Sequence, residues 1–294
     1  MRNAAALATN SMVSGRKIVL ETQEIPPMPV VAAKVVRMTS DPDRVDFKEL
    51  SRTIAADAAL CSRIIRIANS PFFGLPTKIN TLSAGIRVLG LKTIKSLVVA
   101  ASVKQVYQRF GLTEKLLWEH SCAVSFLAMS LARHTRCPLV EESFLAGLLH
   151  DIGKVILNNM APDQYGEVMR QAYNNGTPFE VVEHSLFGID HTEAGAMVLA
   201  KWEFSELLVD IVRYHQDLDR IETWPEPQRT LGLCVALGDA ISYRHMLADH
   251  LDLQDDDPLY RRPAVALGFD RERLDAFETD AKERWAQEME AFAE

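Results

Sequence analysis

Long apolar runs are missing from this chain. None of its 294 residues belongs to a stretch near the ~20 apolar residues that would span a bilayer. The first 17 residues, MRNAAALATNSMVSGRK, lack the continuous apolar core of a signal peptide. A cytoplasmic location is the expectation, with no membrane partner. Cysteine is scarce too. Cys61, Cys122, Cys137 and Cys234 are far apart and show no CxxC spacing, which argues against a zinc cage or disulfide framework and for reduced, packed thiols. Strand-like alternation is absent, as is any Asn-Gly turn between β-branched runs; Asn175-Gly176 sits between helical patterns and reads as a helix-to-helix turn. Positive charge is in deficit, with a net charge of -8. Phosphate neutralisation by Lys and Arg supplies most nucleic-acid affinity, so a nucleic-acid partner is not expected.

What is present is helical periodicity. Residues 1–17 read as a flexible arm, and 18–108 as an N-terminal helical lobe. Residues 109–250 form a second helical lobe, the seam lying near Arg109–Thr113, and 251–294 an acidic linker and closing helix. The segment Glu24-Ile25-Pro26-Pro27-Met28-Pro29 is extended, because each proline fixes its own φ and pushes the residue before it out of the helical region. Helices are predicted over Val30–Thr39, from the capping pattern Asp46–Glu49, and over Ala58–Ala68, which stops at Asn69-Ser70-Pro71 with Asn69 as a left-handed cap. Thr81–Leu89 and Leu91–Tyr107 read as two helices broken at Gly90. Further helices are predicted over Glu114–Arg136, Glu141–Met160, Asp163–Tyr173, Pro178–Phe187, His191–Lys201, Ser205–His215 and Gln228–Leu247. The last runs over Arg271–Ala293, where Leu274, Phe277, Ala281 and Trp285 form a stripe able to pack on the body or on a second copy in a homodimer. The fold class is all-α.

None of the eight histidines precedes residue 120. A buried metal centre on helices needs imidazoles and carboxylates pointing inward from several of them, since one helix presents a narrow face. His150 and Asp151 are adjacent, about 100° apart on a helical wheel, within the largely apolar run Phe144–Ile156. An ionised Asp151 there is costly unless paired or metal-bound; a helix cap or a satisfied core hydrogen bond explains the pair equally well. Trp118, Trp202 and Phe204 read as core aromatics. Glu183 and Glu193 read as solvent-facing acids that could serve as extra ligands, His184 as a surface or capping histidine that could be a spare ligand, and His134, His245 and His250 receive no role. Between Cys61 and Lys95 lie six basic residues and no acidic one. Of these, Arg63, Arg66, Arg87, Lys92 and Lys95 are either a solvated face or a site for an acidic partner or phosphorylated ligand. The acidic stretch Asp249–Asp257 could answer them within the fold or across a dimer.

Leu148-Leu149-His150-Asp151-Ile152-Gly153-Lys154 resembles the central motif of the HD phosphohydrolase superfamily. The longer pattern resembles the HD-related output domain (HDOD) branch over roughly residues 22–250. Ile25–Pro29, Ile67–Phe73 and Ile86–Leu91 are similar to that family's N-terminal lobe; Phe187–Gly195 and Trp202 are similar to its HD-like C-terminal lobe. The resemblance implies a metal set of His120, His150, Asp151 and Asp239, with His191 and His215 where the related HD-GYP phosphodiesterases place further metal histidines. It implies a divalent ion (Fe, Mn or Zn), or two. HDOD domains are signalling or output modules, so a protein partner or nucleotide-type ligand is expected. The alternative is a metal-dependent phosphohydrolase acting on a nucleotide or cyclic dinucleotide, with Lys154 as its phosphate contact. The Gly-Tyr-Pro signature is absent and Gln216, not a second histidine, follows His215, which places the expectation closer to a module than to an enzyme.

Overall fold

Helices account for the regular structure throughout the computed structural model, which describes residues 25–245 and 255–293; no strand occurs among them. In the N-terminal part, α1 (Val30–Met38), α2 (Phe47–Ala55) and α3 (Ala58–Ala68) precede α4 (Leu82–Val103). Local chemistry sets their ends. Asp46 caps α2 by accepting from the amides of Lys48 and Glu49 at 2.8 and 3.1 Å, and Asp57 caps α3 through the Leu60 amide at 2.9 Å; such side-chain acceptors satisfy amides that a helix start otherwise leaves bare. Gly90 breaks α4 as expected, with φ 82° and ψ 171°. Asn69 departs from expectation. It stays right-handed at φ -86°, and its side chain instead clasps the backbone of Ile79, donating to its carbonyl and accepting from its amide at 2.7 Å each. The left-handed turn falls to Gly74.

The C-terminal part is built on α5 (Leu112–His134), which packs against α6 (Val140–Leu149) and α13 (Gln228–His245). Glu114 starts α5 by folding back to accept from the Gly111 amide at 2.8 Å. The single helix expected over Glu141–Met160 is instead two, α6 and α7 (Ile152–Met160), with His150 and Asp151 at the break. Asp151 has φ -104° and ψ 14°, off the helical values. Next come α8 (Pro162–Asn175), α9 (Phe179–Phe187), α10 (His191–Lys201) and α11 (Glu206–Tyr214). Gly176 makes the expected turn after α8 in the left-handed conformation. Two short helices, α12 (Leu218–Glu222) and α14 (Pro258–Ala266), flank α13 and were not expected from periodicity; α15 (Arg271–Ala293) closes the chain. The expected extension of α13 to Leu247, His250 and most of the acidic stretch lie outside the described residues.

One apolar core runs from Ile25 through α4, α5 and α6 to Trp285. A smaller cluster centres on Leu157, Tyr165, Phe179 and Phe187. The closing stripe packs on its own body: Leu274, Ala281 and Trp285 are buried, and Trp285 meets Phe126 at 5.7 Å between ring centroids. Trp118, Trp202 and Phe204 are core residues as read, and all four cysteines are free. The indole of Trp202 donates to the Pro26 carbonyl at 3.0 Å, fastening the proline segment to the end of α10. No helix among the described residues is long and apolar enough to cross a membrane.

Candidate metal centre

Five segments contribute to one buried cluster: His120 from α5, His150-Asp151 from the α6–α7 break, His191 from the first position of α10, His215 just past α11, and Asp239 from α13. The break is what lets a neighbouring pair converge. On a continuous helix the two side chains would diverge by about 100°; the change of backbone direction at Asp151 turns both inward.

Two glycines make the approach possible. A Cβ on Gly147 would lie 2.7 Å from the Val124 carbonyl oxygen, and one on Gly153 would collide with the His191 carbonyl and come within 2.7 Å of the Gly195 amide nitrogen. The first lets α6 rest on α5, carrying His150 to His120. The second lets α7 rest on α10, carrying Asp151 to His191.

The ligand-type atoms then sit close together. His120 Nε2 lies 3.2 Å from His150 Nε2, 3.0 Å from Asp239 Oδ1 and 3.3 Å from Asp151 Oδ2. On the other side of the same carboxylate, Asp151 Oδ1 is 3.3 Å from His191 Nε2 and 3.8 Å from His215 Nε2. Asp151 therefore faces two groups of imidazoles with its two oxygens. Three triads bring ligand atoms within 4.8 Å of one another: His120/His150/Asp151, His150/His215/Asp239 and Asp151/His191/His215.

The outer nitrogens are all held. Nδ1 of His150 donates to the Gly147 carbonyl at 2.7 Å, and that of His215 to the Val212 carbonyl at 2.9 Å. Nδ1 of His191 donates to Glu183 at 2.5 Å, and that of His120 meets the Ser242 hydroxyl at 3.1 Å. A carbonyl or carboxylate on Nδ1 fixes the tautomer whose Nε2 lone pair points inward, as metal-ligating histidines require. Inside, Asp151 Oδ1, His191 Nε2 and His215 Nε2 have no hydrogen-bond partner, while Asp151 Oδ2 meets the Lys154 ammonium at 2.6 Å and Asp239 Oδ1 lies 3.0 Å from His120 Nε2. Each partnerless buried atom costs about 1–3 kcal/mol, and a cation among the three would satisfy them.

Electrostatics point the same way. Burial opposes charge on His150, but the Asp151 and Asp239 carboxylates outweigh it and raise its pKa to about 10. Burial works against the ionised form of both carboxylates too, yet the surrounding imidazoles and Lys154 hold them well below the usual range. Burial and the facing His150 push His215 down to about 3, which keeps its ring neutral. The site favours positive charge and retains neutral nitrogen donors beside it.

Lys154 is buried, with its ammonium 2.6 Å from Asp151 Oδ2. It donates to the Tyr243 hydroxyl at 2.8 Å and lies over the Phe179 ring at 4.1 Å. Glu183, read as solvent-facing, is fully buried. Its carboxylate takes the His191 amide and ring N–H through one oxygen and the Tyr165 hydroxyl through the other. Ser242 and Tyr243 also escaped notice in the sequence, although each follows Asp239 by about one helical turn. His184 is exposed, and His134 stacks on Phe269 at the surface. The basic stretch is dispersed: Lys92 pairs with Glu142 at 2.9 Å, and Lys95 is partly buried near the same carboxylate, while Arg87 stays exposed on α4.

The HDOD domain profile matches residues 25–218. Among solved structures, an HDOD domain protein of unknown function from Geobacter sulfurreducens superposes with a TM-score of 0.78 at 24% identity, covering 96% of this chain and 98% of its own. A Shewanella amazonensis chain with a provisional phosphohydrolase designation gives 0.71 at 23% identity, covering 95% and 97%. At these identities the likeness concerns fold. A cyclic di-GMP phosphodiesterase of Pseudomonas aeruginosa is 32% identical over 112 residues, 37% of this chain and 24% of that protein. An uncharacterized protein of Treponema pallidum is 24% identical over 70% of this chain and 43% of its own length. The chain thus spans less than half the length of the curated relatives it matches.

Proposed function

Because the chain belongs to the HDOD domain family, we propose that it is a signal-transduction module that binds a protein partner or small ligand and carries a divalent-metal centre for structure or sensing. The observation that carries the metal is the convergence of four inward Nε2 atoms and two carboxylates, among which Asp151 Oδ1, His191 Nε2 and His215 Nε2 have no hydrogen-bond partner. A mixed imidazole and carboxylate set suits iron, manganese or zinc. His120, His150 and Asp239 would hold one ion with Asp151 Oδ2, and His191 and His215 a second with Asp151 Oδ1.

Burial supports a sensing or structural role over turnover. His120, His150, Asp151, His191 and His215 are 0–2% exposed and Asp239 is 8% exposed, and Lys154, Tyr243 and Phe179 stack against the Asp151 side. A bulky phosphodiester reaches the ligands only if that group moves. One feature favours a second reading, phosphohydrolase activity on a nucleotide or cyclic dinucleotide: the division of Asp151 between two imidazole groups. Two ions sharing a carboxylate supply a Lewis acid and an activated nucleophile, and Lys154 would be the phosphate contact as a point charge.

Metal analysis of the full chain, purified without chelator, tests the centre. About two Fe, Mn or Zn ions per chain are expected, falling by more than half in His150→Ala. Metal in under about half of the molecules would sink the reading. Hydrolysis of cyclic di-GMP or bis-p-nitrophenyl phosphate that disappears in His150→Ala would instead assign the second.

A further inference from the structure

A groove in the N-terminal part, remote in sequence from the metal ligands, gathers three cations. Lys48 and Arg52 lie one turn apart on α2, and Arg87 projects from α4; with Phe47, Ser51, Ser83 and Ile86 they line a depression of about 540 Å³. No carboxylate lines it. Among the described residues none of the three cations makes an ion pair, in contrast to Lys92, which is neutralised by Glu142 at 2.9 Å. Of the two acids at this start of α2, the N-cap Asp46 spends its carboxylate on the amides of Lys48 and Glu49, and Glu49, exposed in the first turn, forms no ion pair with any of the three cations among the described residues.

This arrangement works against the fold that bears it. Like charges one turn apart on a helix face destabilise it. Phe47 is a large apolar side chain left 51% exposed beside them. Unpaired cations and an exposed aromatic in one concavity, on a chain of net charge -8, are the complement of a ligand that is both anionic and apolar.

We propose that this groove docks an acidic peptide segment of a partner protein. Carboxylates or a phosphoryl group of the peptide pair with Lys48, Arg52 and Arg87 and hydrogen-bond to Ser51 and Ser83, while an apolar side chain seats on Phe47 and Ile86. A peptide fits better than a free nucleotide because Lys48, Arg52, Ser83 and Arg87 are exposed side chains on an open rim, whereas a small ligand needs most of its surface enclosed. The proposal rests on the module reading above and names the kind of partner and where it sits.

The probe is a fluorescein-labelled peptide of alternating Glu and Leu, titrated with the full chain and followed by polarisation. Binding should weaken steeply as salt rises past the range where the Debye length falls below about 10 Å. A Lys48→Glu/Arg52→Glu variant should bind about tenfold more weakly or worse, with unchanged circular dichroism. Metal content is read on the same variant: retention of wild-type metal with loss of peptide separates a failure of this groove from a failure of the metal centre. Arg87→Glu, on a different helix, should give the same loss. The proposal is overturned if no binding is detected, if a basic peptide with Lys in place of every Glu binds as well, or if the charge reversals leave affinity intact. It is equally overturned if ATP displaces the peptide at lower concentration than unlabelled peptide, which makes the groove a nucleotide site. Sedimentation showing a dimer that Arg87→Glu dissolves would give the groove to a second copy of the chain.

Discussion

Glu183 accepts three hydrogen bonds with two oxygens, from the amide and ring of His191 at 2.8 and 2.5 Å and from the Tyr165 hydroxyl at 2.8 Å. Its negative charge outweighs the burial that opposes protonation and raises the pKa of the His191 ring, while fixing the direction of Nε2. Glu183→Gln keeps the shape and an acceptor but removes the charge. It should weaken metal binding about 10–100-fold with the near-UV spectrum preserved; metal titration indistinguishable from wild type would reduce Glu183 to packing. Lys154 poses the opposite case. Its ammonium lies 2.6 Å from Asp151 Oδ2, the oxygen that the proposed ion would use, so the two cations would compete for it. Lys154→Met should destabilise the metal-free chain by about 3–5 kcal/mol, since it leaves a buried carboxylate short of a partner. The same change should enlarge the rise in melting temperature that Mn or Zn produces, because Asp151 is then freer to bind it. A smaller metal-induced rise in Lys154→Met than in wild type would contradict this competition.

At the scale of elements, the centre depends on how closely two pairs of helices approach. Gly153 touches the backbone of His191 and Gly195, so a methyl group there must drive α7 off α10. Gly153→Ala should cost about 1–3 kcal/mol by overpacking and lower metal content disproportionately, because His191 moves away from Asp151; Gly166→Ala, where nothing lies within 4 Å, is the matched control. Equal metal content in both would show that the site tolerates the displacement. Gly153 was legible only as part of a motif, not as a contact. The same holds for the neighbouring break: Phe144–Leu157 is apolar enough to be buried whether the helix continues or not, so periodicity carried no signal of an interruption at His150-Asp151. Where one face alone is buried, as in α10 and α15, the expected spans His191–Lys201 and Arg271–Ala293 agree with the observed ones. Glu183 was misread because its burial comes from α9 packing between α8 and α10, a long-range fact. The ligand set itself came from resemblance to a family, since no spacing along the chain links His120 to Asp239.

Among the described residues, the apolar core shows no break at the seam near Arg109–Thr113. The main apolar cluster takes side chains from both sides of it, Ile25 to Val106 before and Trp118, Phe126 and Trp285 among those after; α4 packs on α6, and α15 reaches from α5 to α3 and the turn Pro71–Phe73. An interface that is part of a core, and not a polar contact between separate units, should transmit unfolding. Urea unfolding followed by circular dichroism and by tryptophan fluorescence is therefore expected to give coincident transitions. The four tryptophans, Trp118, Trp202, Trp224 and Trp285, all lie in the C-terminal part, whereas the dichroism sums helices from both. A lobe that melted alone would split the two curves. Trp285→Ala probes the strap directly. Removing the ring from against Phe126 should cost about 3–5 kcal/mol and shift both curves together; a shift in fluorescence alone would mean that the lobes are held side by side but fold independently.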